Sequence, residues 1–124
     1  MNKKVKVLVV DDELSVLESF KMILEIKDYE VRTALGMDEA VQAVKEENFD
    51  LAFVDLRFKG QDIGLGILAE IKKIKPKTKV VICTAFASDE SKNNAVQLGA
   101  MDYISKPFMM EAIYKLVERA LSKS

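Results

Sequence analysis

The stretch VKVLVVDDELSVLESFKMILEI, residues 5–26, contains the pattern on which the fold prediction rests. The continuous apolar run of residues 5–10 is typical of a strand that is buried on both faces, as in a parallel sheet. Residues 14–26 follow with apolar side chains at the spacing of an amphipathic helix. Between the two stand Asp11 and Asp12, side by side at the carboxyl end of the strand. Because neighbouring carboxylates repel each other, this arrangement predicts a nearby cation.

The same alternation of a short apolar run and a helical segment continues along the chain. Predicted strands lie at 5–10, 29–35, 51–54, 79–84 and 101–105, and predicted helices at 14–26, from 37 to at least 44, 65–74, 88–98 and about 108–121. Strands that alternate with helices form a parallel sheet with helices on both faces. Right-handed crossovers and one reversal of winding give the strand order 2-1-3-4-5. The sequence therefore predicts one α/β doubly wound domain over residues 1–124.

The composition argues against several classes of function. The formal net charge of the 124 residues is −1, so no basic field attracts nucleic acid or anionic lipid. No apolar run approaches the ~20 residues of a membrane span. A single cysteine, Cys83, permits no intrachain disulfide and is typical of a cytoplasmic protein. The absence of histidine excludes histidine-based catalytic triads and imidazole metal sites, which leaves carboxylates, hydroxyls, lysines or a bound ion for any chemistry.

Polar residues follow four of the five predicted strands. Asp11 and Asp12 follow the first strand, Asp55 follows the third, Thr84 ends the fourth and Lys106 follows the fifth. Each motif alone has an ordinary structural explanation, such as an acidic helix start or a strand-ending Lys-Pro. Ligands of doubly wound sheets bind outside the carboxyl ends of the strands, where these side chains would meet. Three carboxylates suit Mg²⁺, and an added hydroxyl and ammonium suit the transfer of a phosphoryl group.

Four stretches together resemble the receiver (phosphoacceptor) domains of two-component response regulators. They are VLVVDDE (7–13), FDLAFVDL (49–56), VVICTAF (80–86) and LGAMDYISKPF (98–108). The resemblance covers the whole chain and implies a flavodoxin-like (βα)5 fold. It also implies that Asp55 is the phosphoacceptor, which attacks the phosphohistidine of a kinase and forms an acyl phosphate.

The resemblance assigns further roles around the acceptor. Asp12 would ligate Mg²⁺ directly, Asp11 directly or through water, and Arg57 through its backbone carbonyl, with Asp55 completing the set. Lys106 would pair with the phosphoryl oxygens. The peptide bond between this lysine and Pro107 is expected to be cis, the isomer of a tight turn.

The resemblance also implies a conformational switch. Thr84 would move its hydroxyl onto the phosphate, and Tyr103 would then swing inward. The predicted helix 88–98 has few large apolar residues, as expected of an element that rearranges at low cost. The changed surface, made of the fourth helix, fifth strand and fifth helix, would control an output domain or downstream protein, and is a possible site of a phosphorylation-dependent homodimer. A sensor histidine kinase or phosphotransfer protein would dock on helix 1 near Leu14 and Ser15.

One stretch, DLRFKGQDIGLG (55–66), departs from the family pattern. Lys59 replaces a proline, and Ile63 is inserted before the glycine. We expect the loop beside the acceptor to differ in shape and stiffness, which bears on partner recognition and on the lifetime of the phosphoryl group. Arg57 and Phe86 occupy variable positions on either side of the acceptor. We hypothesise that these bulky side chains hinder an attacking water and slow the loss of the phosphoryl group.

Two other classes of protein use similar residues. A Mg²⁺-dependent phosphohydrolase that forms an aspartyl phosphate usually needs a second aspartate where this chain has Arg57, and a cap domain. A flavodoxin-like nucleotide binder needs a Gly-rich phosphate loop after the first strand, and the sequence has none there. We therefore expect a signalling switch rather than an enzyme, with no DNA-binding module in these residues. A stand-alone regulator and the receiver of a longer transcription factor are both open.

Overall fold

The computed structural model describes residues 4–58, 61 and 63–122. The strands are β1 (Lys6–Val10), β2 (Glu30–Ala34), β3 (Leu51–Asp55), β4 (Lys79–Thr84) and β5 (Asp102–Ser105). The helices are α1 (Leu14–Ile26), α2 (Met37–Glu46), α3 (Gly64–Ile74), α4 (Asp89–Gln97) and α5 (Met110–Leu121). All neighbouring strands are parallel, in the order β2-β1-β3-β4-β5. The predicted doubly wound fold and strand order are confirmed.

The predicted ends of the elements differ from the observed ends by about two residues or fewer. The largest difference is at α5, which begins at Met110 rather than near residue 108. Phe108 instead packs against the core, and Met109 has the extended backbone of a helix cap. Lys59, one of the two departures from the family pattern, lies outside the described residues, as does Asp62 next to the inserted Ile63. None of the described helices combines the length and apolarity needed to cross a bilayer.

The alternating side chains of the strands build two cores, one on each face of the sheet. Since successive strand residues point to opposite faces, odd and even positions of one strand belong to different cores. One core packs against α2, α3 and α4 and includes Leu8, Val10, Ala52, Val54, Val80 and Ile82. The other packs against α1 and α5 and includes Val7, Val9, Leu51, Phe53, Val81 and Cys83. Each fully buried Val, Leu or Ile contributes roughly 1.5–3 kcal/mol, so the central strands form a firm base for the loops at their carboxyl ends.

Helix α4 is the most weakly anchored of the helices described. Only Ser91 and Ala95 of its residues are buried. The chain leaves the helix through Gly99, whose φ of 99° favours glycine over residues with a side chain. An element with so little buried apolar surface moves at low energetic cost. The predicted thin apolar face of this helix is confirmed.

Candidate functional site

Three carboxylates converge at the carboxyl edge of the sheet. Asp11 and Asp12 follow β1, and Asp55 is the last residue of the neighbouring β3. Val10 pairs with Val54 in the register, so the two strands end at the same level. One carboxylate oxygen from each aspartate lies within 4.8 Å of the others. The structure thus brings together the three side chains that the sequence predicted as metal ligands, and this all-oxygen set fits Mg²⁺.

Lys106 lies between two of these carboxylates. Its Nζ is 3.0 Å from Oδ2 of Asp11 and 3.2 Å from Oδ1 of Asp55. Its backbone N–H donates to the carbonyl of Thr84 at 2.7 Å, which ties the end of β5 to β4. The other oxygen of Asp11 accepts from the backbone N–H of Glu13 at 2.9 Å. Burial alone would lower the pKa of Lys106, but the hydrogen bonds and charges of the two aspartates outweigh it and raise the pKa.

The surroundings of Asp55 raise the pKa of its carboxyl group. Its side chain is only 12% exposed. Burial raises the pKa of Asp55 to about 6, although the ammonium of Lys106 acts in the opposite direction. The negative charges of Asp11 and Asp12 add to the increase. The carboxylate is therefore costly to ionise without a further cation, and a divalent ion would favour the ionised form.

Thr84 and Cys83 end the strand next to Asp55. The hydroxyl oxygen of Thr84 accepts a hydrogen bond from the backbone N–H of Phe86 at 2.9 Å, so the following loop orients it. Cys83 pairs with Asp55 in the register. Burial raises the pKa of this thiol, which remains protonated and unreactive. Of these two residues, only Thr84 offers a polar group that a small loop movement could redirect.

Tyr103 contacts α4 rather than the carboxylates. Its phenolic oxygen accepts from the backbone N–H of Ser88 at 3.2 Å and is hydrogen-bonded to the hydroxyl of Ser91. The peptide bond between Lys106 and Pro107 is cis. Tyr103 stands three residues before Lys106 in the same segment, and its hydrogen bonds link this segment to the start of α4.

A stacked pair that the sequence did not reveal bridges two loops beside Asp55. The guanidinium carbon of Arg57 lies 4.8 Å from the centroid of the Phe86 ring, within the range of a cation–π contact. The ring is 63% exposed. Both residues lie just beyond the carboxyl ends of the neighbouring parallel strands β3 and β4.

The loop from β3 to α3 is anchored at both of its described ends. Phe58 is buried, and its backbone forms a pair of hydrogen bonds with Gln61 at 2.8 and 3.0 Å. Gly64 donates its N–H to the carbonyl of Leu56 at 2.7 Å. A Cβ atom on this glycine would lie 2.1 Å from the carbonyl oxygen of Asp55. No other residue type fits this approach without shifting the strand that ends in Asp55.

Comparisons with known proteins agree with this geometry. The family model of the response regulator receiver domain matches residues 7–118. The alginate biosynthesis transcriptional regulatory protein AlgB of Pseudomonas aeruginosa is 40% identical over 105 residues, which are 85% of this chain and 23% of that protein. The chain spans about a quarter of the length of the curated relatives it matches.

Two crystal structures show the similarity in three dimensions. A response regulator receiver domain protein (CheY-like) from Methanospirillum hungatei has a TM-score of 0.86 and 30% identity, covering 95% of this chain and 97% of that one. A response regulator protein from Burkholderia pseudomallei, with a phosphorylated aspartic acid, a calcium ion and citrate, also has a TM-score of 0.86 and 30% identity. That similarity covers 92% of this chain and 66% of the other.

Proposed function

This chain belongs to the response regulator receiver domain family, and on that premise we propose that Asp55 accepts a phosphoryl group from a phosphohistidine. The donor would be a sensor histidine kinase or a phosphotransfer protein. The observation that carries the proposal is the convergence of Asp11, Asp12, Asp55 and Lys106 at one edge of the sheet. Receiver domains serve signalling, and the comparisons provide no support for a phosphohydrolase.

Four groups of this chain would hold a magnesium ion. They are the carboxylates of Asp11, Asp12 and Asp55 and, as the family resemblance implies, the backbone carbonyl of Arg57. Asp11 would act directly or through a bound water, because each of its oxygens accepts one hydrogen bond and keeps a further lone pair. When bound, Mg²⁺ would neutralise the phosphoryl oxygens and offset the repulsion between the carboxylates.

The proposed transfer uses Asp55 as the nucleophile. One of its carboxylate oxygens forms a bond to phosphorus while the bond from phosphorus to the histidine nitrogen of the donor breaks. The histidine keeps the electron pair of that bond and takes up a proton. Lys106 lies 3.2 Å from Asp55 and can pair with the phosphoryl oxygens as negative charge moves onto the acceptor. The product is an acyl phosphate on the protein itself.

The proposed output is a change of the surface formed by α4, β5 and α5. The hydroxyl of Thr84 would move onto a phosphoryl oxygen, and Tyr103 would then swing inward. The altered surface would act on an output domain or a downstream protein, or form a homodimer. The donor would dock on α1 near Leu14, which is 61% exposed, and Ser15.

The proposal also includes the limits of the domain, its cellular location and an output domain. The receiver domain would occupy residues 1–124, slightly more than the matched residues 7–118. A cytoplasmic location, predicted from the composition, is retained. An output domain is proposed because the curated relatives are about four times as long as this chain.

Labelling with a small phosphodonor tests the assignment of the acceptor. Incubation with Mg²⁺ and radiolabelled acetyl phosphate should give the native protein one label that hydroxylamine removes, as it does from acyl phosphates. Asp55→Asn should remove the label, whereas Asp50→Asn, at the opposite end of β3, should retain it. Label that persists in Asp55→Asn, or that forms equally in EDTA, would contradict the assignment.

A further inference from the structure

The chain passes from α3 into β4 through a run of lysines. Lys72, Lys73, Lys75, Lys77 and Lys79 stand within eight residues, with no acidic residue among them. Within the described part of the chain, none of the five forms an ion pair. Burial lowers the pKa of Lys72, and the positive charge of Lys79 adds to this decrease. This lysine corner, residues 72–79, therefore carries positive charge that no described acid pairs with.

The lysine corner borders a cleft of about 540 Å³. Residues 48–50, residues 75–78 and Ala120 line this cleft. Because residues 48–50 precede β3 and residues 75–78 precede β4, the cleft lies at the amino edge of the sheet. Asp55 lies at the other end of β3, so a molecule bound in the cleft would leave the carboxylate site accessible.

The polar groups of the cleft are mainly hydrogen-bond donors. The ammonium of Lys75 donates to the side-chain oxygen of Asn48 at 2.5 Å and lies 3.4 Å from the carbonyl of Glu47. Since the amide oxygen of Asn48 is used in this way, its nitrogen remains to donate to a ligand. Asp50 is the acid of the lining, and its carboxylate accepts from the backbone N–H of Lys6 at 3.0 Å. Such a donor set suits the carboxylates of a ligand.

We propose that the cleft and the lysine corner bind a short acidic segment of another protein. This inference goes beyond the proposed function and does not depend on phosphoryl transfer. Phe49, Pro76 and Ala120 also line the cleft, so a segment that carries apolar side chains among its acids would fit. The partner is thus identified by charge complementarity at the corner and by an apolar contribution inside the cleft.

The charge of the whole domain favours a short acidic segment over nucleic acid. The formal net charge is −1, so the positive charge of the lysine corner is offset by acids elsewhere on the domain. A long polyanion that lies across the domain would meet those acids as well. Charges more than about 8 Å apart are largely screened at physiological ionic strength, so a segment of a few residues responds to the corner alone.

Fluorescence anisotropy with a labelled peptide of alternating glutamate and leucine tests this site at low ionic strength. Lys77→Gln should weaken the binding about two- to fivefold, the factor that one exposed ion pair provides, and added salt should weaken it further. Lys92→Gln removes an exposed lysine from α4 and is the matched control, which should retain the native affinity. In NMR spectra, the peptide should shift the amide signals of Asn48 and Thr78 but not that of Thr84. Circular dichroism would verify that both variants are folded.

Several outcomes would overturn the proposal. Equal affinities of the native protein and Lys77→Gln would exclude the lysine corner, and an equal loss in Lys92→Gln would show attraction without a site. A DNA oligonucleotide of the same charge that binds more tightly than the peptide would assign the corner to nucleic acid. Self-association that Lys77→Gln abolishes would assign the cleft to a second copy of this chain.

Discussion

Replacement of Asp55 by asparagine should make the metal-free protein more stable at neutral pH. Burial raises the pKa of this carboxyl from 3.8 to about 6 in the folded protein. The native state therefore binds the proton more tightly than the unfolded state, and its stability falls as the pH rises from about 4 to about 6. Above that window an ionised Asp55 opposes folding. Asparagine is nearly isosteric with the neutral acid and carries no charge at any pH.

The size of the effect follows from the pKa. A change from 3.8 to about 6 corresponds to roughly 3 kcal/mol at 1.36 kcal/mol per pKa unit. The side chain is 12% exposed, so solvent screens the charge only weakly. The attraction of Lys106 is already contained in the pKa, and Lys106 retains Asp11 as a partner at 3.0 Å. We expect Asp55→Asn to gain on the order of 2–3 kcal/mol at pH 7.5 and nothing near pH 3.5.

Urea unfolding followed by circular dichroism, in EDTA and at several pH values, would measure this difference. Glu18→Gln, which neutralises an exposed carboxylate on α1, serves as the matched control and should show little change. Addition of Mg²⁺ should stabilise the native protein more than Asp55→Asn, because the variant lacks one ligand. A variant that is less stable than the native protein at pH 7.5, or a difference that does not depend on pH, would refute the reasoning.

Three further variants examine other parts of the molecule. Lys106→Ala should still bind Mg²⁺, but beryllofluoride should no longer shift the NMR signals of Tyr103, since the ammonium is the link between the acceptor and β5; a normal shift would contradict this route. Arg57→Ala should shorten the half-life of the phosphoryl group severalfold, because it removes the stacked pair beside Asp55. A half-life equal to that of the native protein would refute the hypothesis that Arg57 and Phe86 hinder an attacking water. Glu47→Gln should lose about 0.5–1 kcal/mol at pH 7 in urea unfolding, because Glu47 pairs with Arg32 at 2.7 Å and is only partly exposed. The pairing lowers the pKa of Glu47, so this loss should disappear as the pH falls toward 3.

Apolar periodicity was sufficient to predict the fold. The predicted limits 14–26 and 79–84 coincide with α1 and β4, because in both cases the pattern ends abruptly at polar residues. The strand order followed from right-handed crossovers and one reversal of winding. That order alone placed Asp55 beside the aspartates that follow β1. Backbone connectivity thus determines which residues meet at the sheet edge.

The contacts between loops could not be predicted in the same way. The stack of Arg57 on Phe86 and the bond from Ser91 to Tyr103 depend on side-chain rotamers and on loop paths, which have no periodicity. The predicted start of α5, near residue 108, lies two residues before the observed start at Met110. The reason is that Phe108 continues the apolar pattern of the helix, although it packs against the core from the preceding loop. The pKa of Asp55 could not be predicted either, because it depends mainly on how deeply the side chain is buried, and the sequence does not give that burial.

The close approach of Gly64 to the end of β3 has a consequence for the segment between Phe58 and Gly64, which can vary in length. At the start of α3, the N–H of Gly64 donates to the carbonyl of Leu56, and the lack of a side chain on this glycine lets the helix approach the carbonyl of Asp55. Segments of different lengths taken from homologous proteins could therefore be grafted between Phe58 and Gly64 while the acceptor strand stays in place. Such grafts would change the surface beside Asp55 while the strand that carries Asp55 keeps its position.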